Sequence, residues 1–88
     1  MKVEFLSRFN KDVDKLTDKQ IKIQLAYLIE EFEKANSLFE IRNIKKLKGF
    51  KNAYRVRLGE FRVGFYFENN MVEFARIANR KDIYKLFP

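Results

Sequence analysis

The sequence predicts an α+β fold: an N-terminal strand and a helical hairpin packed on an antiparallel sheet, with a short C-terminal helix. Three observations predict it. Apolar residues recur at helical spacing in the first half of the chain. Regular apolar/polar alternation takes over from Ala53 to Phe67, and a further apolar strand reads from Met71 to Ala78. Glycine and asparagine pairs stand where strands must reverse. Eighty-eight residues make one domain, 1–88, and with 47% hydrophobic residues, ten of them Phe, the chain can build one real core.

Each element follows from its own residues. Met1 to Leu6 alternates around Val3 and Phe5 and reads as a short strand. Ser7 is placed to cap a helix carrying Phe9, Val13 and Leu16 on one face. Thr17-Asp-Lys-Gln20 has the pattern of a capping box and opens a second helix, Asp18 to Ala35. Its stripe is Ile21, Leu25, Leu28 and Phe32, widened by Ile29. A tight turn at Thr17 makes the two helices antiparallel. Ser37-Leu-Phe-Glu40 repeats the capping pattern and predicts one helical turn. "IKKLKGFKN" follows as a lysine-rich lead-in anchored by Ile44 and Leu47 and bent at Gly49. Two strands then pair around Gly59-Glu60, with Tyr54, Val56, Leu58, Val63, Phe65 and Phe67 toward the helices. Arg55, Arg57, Arg62 and Tyr66 face the other way. Asn69-Asn70 tolerates left-handed backbone and predicts a tight turn into the last strand. "NRKDIYKLFP" predicts a helix from Arg80 to the terminal Pro88.

Composition removes several chemistries. There is no cysteine and no histidine, hence no disulfide, no thiolate and none of the usual neutral-pH bases or zinc ligands. No cofactor and no metal are expected. No apolar run suits a signal peptide or a bilayer span, so a cytoplasmic protein with no membrane partner is expected. The net charge is +7, and it is unevenly spread. Residues 1–40 carry seven Lys/Arg against eight Asp/Glu and read as a neutral scaffold. Residues 41–88 carry twelve against four and read as a basic surface for a polyanion.

A two-residue hairpin loop sets Arg57 directly opposite Arg62, with Arg55 one pair further along. Like charges across strands are destabilising, so this clustering calls for an anion. Arginine forks suit phosphate oxygens, and Tyr66 offers a ring on which a base can stack. Lys45, Lys46, Lys48, Lys51 and Lys81 extend the basic surface. Tyr84, with Ile83 and Phe87, is placed to seal the core edge.

The segment "NIKKLKGFKNAYRVRLGEFRVGFYFENNMVEFARIANRKDIYKLFP" resembles the second half of a RelE/ParE superfamily toxin. The shared features are the "KKLKG" lead-in, the "YRVRLGEFRVGF" hairpin, the apolar strand after it and the closing "RKDIY". The first half matches in layout. The resemblance implies the toxin of a type II toxin–antitoxin pair, with a cognate antitoxin as partner in a hetero-oligomer. RelE-like members cut messenger RNA on the ribosome by attack of the ribose 2′-hydroxyl, without a metal. ParE-like members poison DNA gyrase. The basic cluster of the RelE branch falls on Arg55, Arg57, Arg62 and Arg80, with the late aromatic at Tyr84, and these imply the endoribonuclease. The alternative is a non-catalytic member of the fold, either a gyrase poison or a degenerate RNA-binding relative. Two positions depart from the pattern: Arg55 stands where some relatives carry Lys, and Asn79 where close relatives carry His. Lys81, Glu73 and Glu60 remain as candidate bases. The resemblance also implies an antitoxin segment, acidic residues among Leu/Ile, crossing the sheet and the exposed C-terminal Leu86 and Phe87.

Overall fold

A computed structural model describes all of Met1–Pro88. The elements run β1 (Lys2–Phe5), α1 (Ser7–Lys15), α2 (Lys19–Lys34), one 3₁₀ turn (Leu38–Glu40), β2 (Ile44–Lys46), β3 (Ala53–Leu58), β4 (Phe61–Glu68), β5 (Met71–Asn79) and α3 (Ile83–Leu86). One five-stranded sheet has the order β1-β5-β4-β3-β2. The helices carry the chain from β1 to the far edge. A meander from β2 then walks back until β5 lies beside β1, and that one pair is parallel. No helix is long and apolar enough to cross a membrane.

The local expectations hold where local chemistry decides. Gly59 and both Asn69 and Asn70 adopt positive φ, closing the two tight hairpins. Ile21, Leu25, Leu28 and Phe32 are the buried face of α2. Packed under it are Phe9, Val56, Val63, Phe65, Val72, Phe74 and Ile77.

Four boundaries differ. Leu6, not Ser7, stands at the cap of α1, because its backbone N–H is still tied to Phe74 O at 2.9 Å. The strand pairing runs straight into the helix and leaves no turn for a capping serine. Asp18, not Thr17, caps α2, accepting from the N–H groups of Gln20 and Ile21 at 2.9 and 3.2 Å. A carboxylate also suits the positive end of the helix dipole. The second capping pattern closes one residue early: the Glu40 carboxylate accepts from Asn36 N–H, and Ser37 caps nothing. The C-terminal helix starts at Ile83, not Arg80. The Asn79 side chain accepts from Lys81 N–H at 3.0 Å, and residues 80–82 turn instead. Ile44–Lys46, in the lysine-rich lead-in for which the sequence predicts no element, is strand β2.

β5 carries a bulge opposite Gly64/Phe65. Up to it Val72 and Phe74 point at the helices. Beyond it the parity slips by one residue, so Ile77 still joins the helix-side core. Ala78 then lies across from Arg62 on the other face. The slip also lets Arg76 reach α1. Its Nε and Nη2 donate to Asp12 at 2.8 and 3.1 Å, and Ile77 N–H donates to the same carboxylate at 3.1 Å. The hydrogen bond to Asp12 holds the Arg76 guanidinium more firmly charged than usual. The two side chains are only 16% and 14% exposed. Asp12→Ala would leave a half-buried guanidinium and a strand N–H without acceptors, and urea unfolding should show a loss of about 3 kcal/mol. Asp12→Asn should recover part of it.

The second face of the sheet is not wholly open, as its alternation implied. Leu47, Ala53, Ala75, Ile83 and Phe87 form a smaller core there, flanked by Leu6, Tyr66 and Ala78. Phe87, expected to be an exposed anchor, is 3% exposed. Leu86 alone of that pair remains accessible.

Candidate active site in a basic cup

Three adjacent strands and α3 build the candidate site. Lys45 of β2 pairs with Arg55 of β3, and Arg57 of β3 pairs directly with Arg62 of β4. With Asn43, Ile44 and Tyr84 these residues line a cup of about 280 Å³ on the second sheet face. Four cations converge and no carboxylate lines the cup. None of the four is in an ion pair. Both cross-strand pairs place like charges opposite each other, a cost of a few tenths of a kcal/mol or more per pair. The arrangement is stable only because the fold over-determines it, and an anion would relieve it.

Each side chain is held differently. Arg62 folds back on its own turn, its Nη1 donating to Gly59 O at 3.0 Å and Phe61 O at 2.9 Å. Arg55 lies under Tyr84, its Cζ 4.4 Å from the ring centroid. The Arg55 Nε is buried and has no hydrogen-bond partner. A buried donor left unpaired is costly. Tyr84 is 71% exposed and does not seal the core, which its neighbours Ile83 and Phe87 do. Its ring stands at the rim of the cup, where a base could stack.

Arg80 is set apart. It lines an adjoining hollow with Glu60, Gly59 and Leu58, and the two spaces share Asn43, Arg57 and Arg62. Its Nε lies 3.8 Å from Glu60 Oε1, and its N–H donates to Glu60 O at 2.9 Å. Glu60 is therefore the candidate base nearest the cup. Glu73 lies further along the sheet, paired with Tyr66, and Lys81 is on the exposed turn after β5. Asn79 is occupied in shaping that turn.

The remaining sequence candidates lie outside the cup. Tyr66 packs on Phe87, ring centroids 5.0 Å apart, and is no free stacking platform. Lys46 borders an apolar groove with Leu38, Phe39 and Tyr54. Lys48 and Lys51 lie exposed in the loop before β3. Asn43 lines both hollows and was missed by sequence reasoning. Its signal is its left-handed backbone, φ 63°, which asparagine tolerates and which turns the chain into β2.

No protein-family model matches the chain. Individual proteins do. Toxin RelE3 of Methanocaldococcus jannaschii is 39% identical over 89 aligned residues, covering 100% of both chains. A chain in the crystal structure of the RelB–RelE antitoxin–toxin complex from Methanococcus jannaschii superposes with a TM-score of 0.83 at 35% identity, covering 97% of this chain and 99% of that one. YafQ from E. coli superposes with a TM-score of 0.75 at 15% identity, covering 94% and 97%, and shares the fold. With that degree of identity to a RelE toxin along its whole length, and the same fold beneath its basic cup, this chain belongs to the RelE family of toxins.

Proposed function

We propose that this protein is the toxin of a type II toxin–antitoxin pair, an endoribonuclease that cuts messenger RNA on the ribosome in the cytoplasm. The observation that carries the reading is the cup in which Lys45, Arg55, Arg57 and Arg62 converge without a carboxylate, under the ring of Tyr84. The reaction is an internal transesterification. The ribose 2′-oxygen gives up its proton and attacks the adjacent phosphorus. The bond to the 5′-oxygen breaks, that oxygen takes up a proton, and a 2′,3′-cyclic phosphate remains.

Arg57 and Arg62 face the phosphate from two strands and stabilise the charge that grows on its non-bridging oxygens. Arg55 adds a third guanidinium charge beside them. Tyr84 holds a flanking base by stacking. Arg80, in the hollow adjoining the cup, adds positive potential. No imidazole or carboxylate lines the cup, so charge stabilisation and alignment of the message by the ribosome supply most of the acceleration. Like the RelE chain complexed with RelB in the structure from Methanococcus jannaschii, this chain would take a cognate antitoxin. An acidic segment with apolar anchors fits the basic face.

Inducing the protein alone should arrest growth, and pulse labelling should show protein synthesis falling before DNA or RNA synthesis. Messages should be cut inside coding frames, and only when translated. Normal translation together with gyrase-dependent DNA breaks would transfer the protein to the gyrase-poisoning branch.

A further inference from the structure

We propose that Gly64 and Phe87 form a latch that positions Tyr84 over Arg55, so that the stacking ring of the cup is set from outside it. The proposal rests on the reading of Tyr84 as part of the RNA site. Tyr84 makes no hydrogen bond and is mostly exposed, and it touches the cup through its face against Arg55. Such a contact is weak when solvated and does not fix a ring by itself. α3 is one turn of four residues, too short to hold itself. What fixes it is its underside.

Ile83 is 0% exposed, and Phe87 lies one helical turn further on, its N–H donating to Ile83 O at 2.9 Å. Both sink into a trough in the second sheet face floored by small residues: Ala53 of β3, Gly64 of β4 and Ala75 of β5. Gly64 lies directly against the Phe87 ring. Its backbone has no left-handed φ, so conformation does not demand glycine there. Space does. A Cβ on Gly64 would overlap Cγ and Cδ2 of the Phe87 ring. Tyr66 backs that ring from one side. Any side chain at position 64 must displace the Phe87 ring, and Phe87 closes the end of α3 through its N–H to Ile83 O, so α3 loses one of its two buried anchors. Tyr84 is then no longer held over Arg55. Gly64 and Phe87 are thus positioning residues that act through Tyr84.

The test uses the full-length, ¹⁵N-labelled protein. In the wild type the Arg55 Nε–H should be shielded by the Tyr84 ring and slow to exchange. Gly64→Val and Phe87→Ala should both lose that signature, as Tyr84→Ala does, while Phe87→Leu should keep it. Cleavage of ribosome-bound message should fall roughly 10- to 100-fold in Gly64→Val, the scale of a misplaced contact group. Adding Gly64→Val to Tyr84→Ala should then cost little more, because the two act as one unit. Phe87→Ala creates no overlap, so it decides the matter if Gly64→Val fails to fold. An unchanged Arg55 signature in Phe87→Ala, or full additivity of Gly64→Val with Tyr84→Ala, would overturn the latch. A wild type that cuts no message, but whose Arg55 signature responds as described, would support the latch and sink the ribonuclease reading alone.

Discussion

Arg62→Ala should reduce cleavage of ribosome-bound message by about 10²- to 10³-fold, the usual effect of deleting one donor aimed at developing charge. The fold should survive. The Arg62 side chain projects from the face opposite the main core, and its alkyl stem buries little. Its two hydrogen bonds to Gly59 O and Phe61 O brace the hairpin turn at the surface, where each contributes about 1 kcal/mol at most. Against that loss stands the relief of the direct Arg57–Arg62 opposition, a few tenths of a kcal/mol to about 1. The net loss in urea stability should therefore stay under about 2 kcal/mol. Arg62→Lys sharpens the result. It keeps the charge but loses the planar fork, and should recover only part of the activity. Single-turnover cleavage and an unfolding curve on the same preparation decide the outcome. A variant that is inactive because it is unfolded would make Arg62 a structural brace of the turn.

Phe74→Ala should do the reverse, lowering stability severely with little direct effect on chemistry. Phe74 is 0% exposed and is the meeting point of the aromatic core. Its ring lies 5.7 Å from Phe5, 5.6 Å from Phe9, 5.2 Å from Phe32 and 6.1 Å from Phe65. These four come from β1, α1, α2 and β4, so one ring ties four elements to β5. Truncating a buried Phe costs about 3–5 kcal/mol, and the lost edge-to-face contact with Phe32 places this site at the upper end. For a domain of this size that lowers Tm by roughly 15–30 °C. Phe74 faces away from the cup, so cleavage measured well below the new Tm should stay within a few-fold of wild type. A loss under about 1 kcal/mol would mean that the neighbouring rings collapse into the space, and that the core is not organised around this residue.

The basic cup is legible in the sequence to the extent that its residues are neighbours along two adjoining strands. The alternation of Ala53–Phe67 and the glycine at the turn are enough to put Arg57 opposite Arg62, and the pairing is as expected. Lys45 joins them through β2, a strand the sequence does not announce. With one apolar residue and two lysines, Ile44–Lys46 has neither length nor pattern, and it forms because β3 offers it an edge. Arg80 and Tyr84 are placed by resemblance, and they take up different stations, one in the adjoining hollow and one over Arg55. The neutral scaffold reading of residues 1–40 hides the tie between Asp12 and Arg76, because net charge says nothing of partners 64 positions apart.

Short-range chemistry written in the chain is sufficient for the helical stripe of α2, both tight hairpins, the two faces of the β3–β4 ribbon and the concentration of positive charge in the second half. All but the last rest on interactions between residues a few positions apart, where side-chain period and backbone preference act directly. The charge is a matter of composition alone. The parallel pairing of β1 with β5, the bulge that returns Ile77 to the core, and the burial of Phe87 against Gly64 arise only when the whole chain is assembled. These depend on which distant segments share a sheet and on how much room remains between them. Alternation gives a residue its face. It does not say what will come to lie on that face, and here a glycine in one strand decides where the end of the chain can rest.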